Sequence, residues 1–165
     1  MNEQRYQKIS NWVRKSDQRY RRFVMVYRIL PYVMVAAYAG CVIYELAEQN
    51  KKGLIRVIVV PAITFLICTV FRKFINAGRP YEKMNISPLI VKDKKGQSFP
   101  SRHTVAAAII GMTALYVNTP FGIFALFAAA LTGGIRPVAG VHYIKDVLAG
   151  YLFGVAAGIV GFFII

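Results

Sequence analysis

The sequence predicts an all-α, polytopic membrane helical bundle of about five transmembrane helices, preceded by an amphipathic helix at the interface. Three observations lead there. Of the 165 residues, 56% are hydrophobic, yet the formal net charge is +14. The apolar residues fall into continuous runs long enough for the roughly 20-residue helix that crosses a bilayer core. The basic residues gather between those runs, where headgroups or anions would meet them. Nucleic acid is the other usual partner of a basic chain. It is set aside because the apolar residues do not come in the amphipathic periods of a soluble domain.

Met1 to Arg22 is polar and basic, with Arg5, Lys8, Arg14, Lys15, Arg19, Arg21 and Arg22 against Glu3 and Asp17. Tyr6, Ile9, Trp12, Val13 and Tyr20 fall near helical spacing. The expectation is an amphipathic helix lying on the membrane, with Trp12 at headgroup level, in preference to a disordered tail. Residues 1–22 thus form one segment and 23–165 a single transmembrane domain. The first span is Phe23 to Ala47, with Arg28 free to snorkel and Pro31 tolerated. Tyr38-Ala39-Gly40-Cys41 faintly echoes a lipoprotein cleavage site, but cleavage there would discard this span, so it is read as retained. Glu45 to Gly53 makes a polar turn. The second span is Leu54 to Ile75. Cys41 and Cys68 both lie inside apolar runs and read as packing groups, not as a disulfide framework or a metal site.

Asn76 to Phe99 is a basic, broken loop, too polar to cross lipid and long enough to suggest function. Ser101 stands where an N-cap is expected for a third span ending at Val117. Asn118-Thr119-Pro120 is a tight turn, and Phe121 to Thr132 is a short fourth span ended by Gly133-Gly134. The fifth is Gly140 to Ile165. There Gly150, Gly154 and Gly158 recur every fourth residue, a pattern for close helix packing within the monomer.

Chemistry gathers at one end of the bundle. The end of span two, the start of span three, the end of span four and the start of span five all lie on one side. They carry Arg72, Lys73, Arg79, Ser101, Arg102, His103, Arg136, His142 and Asp146, including both histidines of the chain. If span five begins near Gly140, His142 and Asp146 share a helix face at i and i+4. The carboxylate would then hold one imidazole nitrogen and leave the other free. A helix terminus with a few interfacial polar groups is the plainer reading of that stretch alone. Taken together, the four ends make a cationic cup suited to phosphate, with helix N-termini adding N–H donors. A metal site is disfavoured, since so many cations would repel a divalent ion, and no cofactor is implied.

These residues resemble the type 2 phosphatidic acid phosphatase family, membrane lipid phosphatases whose active site is related to that of vanadium haloperoxidases. The family's first motif is lysine, six residues, Arg-Pro; here Arg72 stands at the lysine, followed by Arg79-Pro80, with Lys73 one place out of register. The second, Pro-Ser-Gly-His, is matched by Pro100-Ser101-Arg102-His103. The third, Ser-Arg, five residues, His, three residues, Asp, is matched by Ile135-Arg136, His142 and Asp146. By that resemblance His142 is the nucleophile that becomes phosphohistidine and Asp146 orients it. His103 is the general acid, then the base. Arg72 or Lys73, with Arg79, Ser101, Arg102 and Arg136, binds the phosphoryl oxygens.

The resemblance implies a membrane lipid phosphate as substrate: phosphatidic acid, phosphatidylglycerophosphate or a lipid diphosphate. Arg102, where the family has glycine, would reach a second phosphate and tilts the expectation toward a polyprenyl diphosphate. A lipid phosphotransferase using the same histidine, and a non-catalytic protein binding anionic lipids, are the rival readings. The N-terminus and the cup are expected on one side of the cell membrane. Arg5 to Arg28, like the loop from Arg72 to Arg102, outweighs the Glu45–Arg56 turn in positive charge, so the charge rule makes that side cytoplasmic. The resemblance implies the opposite face.

Overall fold

The computed structural model describes residues 2–165, all helix and connections with no strand among them. In chain order the elements are α1 (Glu3–Arg14), α2 (Asp17–Ala47), α3 (Lys51–Ile75), the single turn α4 (Pro80–Lys83), α5 (Arg102–Val117), α6 (Thr119–Val138) and α7 (Ile144–Gly158). The chain leaves α7 as a π-helical segment, Ile159–Ile164. Four stretches are long and apolar enough to cross a bilayer, beginning at Asp17, Lys51, Thr119 and Ile144; α5 is a shorter apolar helix. Ile58, Ile63, Phe65, Leu66, Phe124, Phe127, Leu148 and Leu152 are all exposed. So much outward apolar surface is stable only against lipid.

The helix α5 is the axis. It packs against α2, α3, α6 and α7, and nine of its sixteen residues are buried. Its inner faces carry small residues, Ala107, Ala108, Gly111 and Ala114, which let neighbouring backbones approach. The glycine stripe of α7 faces it. A Cβ at Gly154 would sit 2.7 Å from that of Ala108, and one at Gly158 2.4 Å from that of Met112. The expected role in packing within the chain is thus what the stripe does. Near the site end, a Cβ at Gly150 would meet the Ser101 carbonyl at 2.9 Å. That glycine therefore brings the starts of α5 and α7 together. Within α3, Pro61 removes the N–H that would bond the Val57 carbonyl, and Tyr38 of α2 donates its hydroxyl to that carbonyl at 3.0 Å instead.

Three boundaries differ from expectation. The helix containing the first span starts at Asp17, before Phe23, because Arg19, Arg21 and Arg22 are good helix formers and nothing breaks the helix. The Gly133-Gly134 pair does not end the fourth span. Gly133 instead packs where a Cβ would lie 2.8 Å from both Thr104 and Val147, and α6 runs on to Val138. Its stop is Gly140, at φ +79°. The Gly140 N–H bonds the Pro137 carbonyl at 3.0 Å and the Val141 N–H bonds the Arg136 carbonyl at 3.3 Å, a Schellman end. Gly140 therefore closes α6 and does not open the next helix, which starts at Ile144.

The amphipathic helix α1 exists, but its inner face docks on protein. Tyr6, Ser10 and Val13 are buried. The Tyr6 hydroxyl accepts from the Leu89 N–H at 3.0 Å, and Arg14 donates to the carbonyls of Ser87 and Pro88. Trp12 stays outside, 62% exposed, under the Arg19 guanidinium.

Candidate active site

His142 sits in the short link between the Schellman end of α6 and the start of α7, not on a helix. Asp146 still reaches it, for a reason other than helical spacing. As an early residue of α7, Asp146 turns its carboxylate back over the helix start, where Oδ2 accepts the Tyr143 N–H at 3.0 Å. The same oxygen lies 3.5 Å from His142 Nδ1, so Nε2 is the nitrogen left open. Both residues are buried, at 4% and 1% exposure. The start of α5 is tied to this turn, because the Ser101 N–H bonds the Asp146 carbonyl at 2.9 Å.

Around the pair stand the arginines. Arg79 opens α4; its Nε donates to the Gly96 carbonyl at 3.0 Å and its Nη1 to the Val141 carbonyl at 3.3 Å, beside the histidine. Arg72, in the last turn of α3, donates to the carbonyls of Gln97, Ser98 and Pro100. Arg136, in the last turn of α6, is 2% exposed, and its Nε and Nη2 have no hydrogen-bond partner among the described residues. Its guanidinium lies 4.3 Å from the ring centre of Tyr27. Burial pushes the His142 pKa down, and the Arg79 and Arg72 cations add to that against the raising effect of Asp146. The imidazole is therefore neutral at neutral pH, as a nucleophile requires.

His103, on the first turn of α5, faces the cup, where desolvation and then the Arg136 and Lys92 cations push its pKa down to about 3, so the imidazole is neutral there. Ser101 is fully buried; its hydroxyl accepts from Thr104 Oγ1 at 2.9 Å and makes no capping bond to the backbone. Two expected ligands stand apart. Lys73 is exposed, turned about 100° round α3 from buried Arg72. Arg102 is half-buried, with its guanidinium 5.5 Å from the Phe65 ring centre, at the rim.

Ser98 and Tyr27 enter the site unannounced by the sequence. Ser98 is 1% exposed, and its Oγ donates to Asp146 Oδ2 at 2.5 Å. A small hydroxyl two residues before the Pro100-Ser101 turn was the one available signal for it. Tyr27 had none: it is one aromatic among many in an apolar run. Among the described residues, no three His, Cys, Asp or Glu side chains cluster as metal ligands would.

A helical bundle clothed in outward apolar side chains thus carries a buried His–Asp pair among arginines at one end. The PAP2 superfamily model matches residues 53–165, and the chain belongs to that superfamily. It is similar to the bacitracin transport permease protein BcrC of Bacillus licheniformis, at 27% identity over 139 residues, 82% of this chain and 68% of that one. Two crystal structures share the fold. LpxE of Aquifex aeolicus superposes with a TM-score of 0.73 at 22% identity, covering 97% of this chain and 93% of its own. The PAP2-type phosphatidylglycerolphosphate phosphatase of Bacillus subtilis gives 0.67 at 24% identity, covering 95% and 82%.

Proposed function

We propose that this protein hydrolyses phosphate from a lipid phosphate through a covalent histidine intermediate, without a metal. The observation that carries the reading is the buried His142–Asp146 pair with Nε2 open, beside Arg72, Arg79 and Arg136. The Nε2 lone pair attacks phosphorus as the bond to the leaving oxygen breaks, and His103, which takes up a proton once the substrate's negative charge offsets the desolvation and the cations that hold its pKa down, gives that oxygen its proton. His103 then takes a proton from water, whose oxygen attacks the phosphohistidine. The N–P bond electrons return to His142 and phosphate leaves. Charge develops on the equatorial oxygens, where fixed guanidinium donors act most strongly. Those cations supply the neutralisation a metal would otherwise give, and repel a divalent ion from two histidines and one carboxylate.

The substrate class we favour is a polyprenyl diphosphate, because Arg102 at the rim offers a second cation to a distal phosphate. Phosphatidylglycerophosphate, the substrate in the name of the Bacillus subtilis structure, and phosphatidic acid are the monophosphate alternatives. Docking of α1 on Ser87–Leu89 supports a shared face for the N-terminus and the site, and the charge rule assigns that face to the cytoplasm.

Phosphate release by detergent-purified protein tests the reading, with the three lipids offered in EDTA and no acceptor alcohol. Release from at least one lipid, abolished by His142→Ala, is expected. Activity that needs an added divalent ion, or that survives in His142→Ala, would overturn it.

A further inference from the structure

Asp146 and His142 face each other, but at 3.5 Å their contact is long for a hydrogen bond. A third group stands between them. The Ser98 hydroxyl oxygen is 2.5 Å from Asp146 Oδ2 and 3.3 Å from His142 Nδ1, so each leg through the serine is shorter than the direct path. A hydroxyl can accept and donate at once. The arrangement therefore reads as a chain, Nδ1–H to Oγ, then Oγ–H to Oδ2.

The position is built. The Ser98 N–H bonds the Ala77 carbonyl at 2.8 Å, and its own carbonyl accepts from Arg72 Nη1 at 3.4 Å. The side chain is buried, at 1% exposure. Asp146 Oδ2 receives both the Ser98 hydroxyl and the Tyr143 N–H, while Oδ1 has no partner among the described residues. The carboxylate is thus held by the one oxygen that addresses the serine.

We propose that Ser98 is a positioning residue of the nucleophile, the link through which Asp146 acts on His142. It touches no substrate, and no bond to it is made or broken. It keeps the proton on Nδ1, which leaves the Nε2 lone pair aimed at phosphorus. It also relays the carboxylate's charge to the imidazole when phosphorylation makes the ring cationic. This rests on His142 being the nucleophile.

The alternative is a serine that merely anchors the loop before α5. The two differ in what its removal does to the histidine. In Ser98→Ala the carboxylate's charge no longer reaches the imidazole through the hydroxyl, so the imidazolium is less stabilised and His142 titrates at a lower pH. The acid limb of kcat/KM should therefore move down. With the relay gone, kcat should fall about tenfold or more, the worth of one charged hydrogen bond, with KM within about twofold. Ser98→Thr keeps the hydroxyl and should recover most of kcat and the pH profile. In ¹⁵N-histidine-labelled protein, wild-type His142 should show Nδ1 protonated and Nε2 bare, and Ser98→Ala should mix the tautomers.

Both variants should be assayed beside His142→Ala, on whichever panel lipid the wild type cleaves. A Ser98→Ala enzyme with wild-type kcat, pH profile and tautomer overturns the proposal while His142→Ala stays inactive. Equal losses in Ser98→Ala and Ser98→Thr, with the wild-type tautomer kept in both, also overturn it. An active His142→Ala overturns the underlying reading instead.

Discussion

Two walls of the cup hold a buried arginine each, and they hold it in opposite ways. On the wall made by α3 and the 97–100 segment, Arg72 directs its donors at three backbone carbonyls. On the wall made by α6 and α2, Arg136 leaves Nε and Nη2 unpartnered and rests its flat face on Tyr27. Buried donors are nearly always satisfied, and an unpaired buried charge costs several kcal/mol. The difference separates two jobs. Arg72 shapes the loop that carries Ser98 and delivers Ser101, whereas on the proposed reading the unpartnered donors of Arg136 receive the phosphate.

If the walls differ in this way, stability and activity should part company between them. Arg136→Ala should give the largest loss of activity, roughly 10²–10³-fold in kcat/KM, the scale of one oxyanion donor. Its thermal midpoint in detergent should stay level or rise, because an unpaired buried charge is gone. A midpoint that fell would break the comparison.

Arg72→Ala should lower both. Three carbonyls lose their donor, a cost on the order of 3 kcal/mol. That corresponds to a midpoint lowered by about 6–12 °C for a chain of this size. Lys73→Ala, on the outer face of the same turn, should change neither, which makes it the control for this wall.

Tyr27→Leu should act only through Arg136. Loss of a desolvated cation–π contact lowers kcat/KM by roughly tenfold, while Tyr27→Phe, which keeps the ring, should retain most activity. The smallest effect is a pH shift. By the proposed mechanism only neutral His142 attacks, and burial with Arg79 and Arg72 lowers its pKa from 6.5. The acid limb of kcat/KM should then lie below that value. Arg79→Gln removes one lowering cation and should move the limb toward higher pH.

The sequence made legible what the bilayer and phosphate chemistry dictate. Lipid demands long apolar runs, so the helices were countable. Phosphate calls for cations and a supported imidazole, and the residues expected for it, Arg79, His103, Arg136, His142 and Asp146, do gather at one end of the bundle. Helix ends were harder, because one residue type serves unlike ends. Gly133 is there for contact with Thr104 and Val147, and Gly140 for a left-handed turn. Either reads as a breaker in one dimension. The His142–Asp146 spacing pointed to the right pair through the wrong geometry, since an acidic residue reaching back over a helix start also bridges four positions. Ser98 and Tyr27 were invisible because their roles depend on the path of the loop and on which helix lies beside α6.

The helix α1 has a consequence for how the protein is made. Tyr6 and the Ser87 carbonyl it meets are 81 residues apart, and the Tyr6 hydroxyl also fills the space beside Gly140. During synthesis α1 emerges first, while the surfaces that receive it emerge after two spans and, for Gly140, after α6. Until then its buried stripe has only headgroups to lie on. The turn that carries His142 arrives at the same late moment. The docking surface of α1 and the candidate nucleophile His142 therefore become available to the nascent chain together, once α6 has been made.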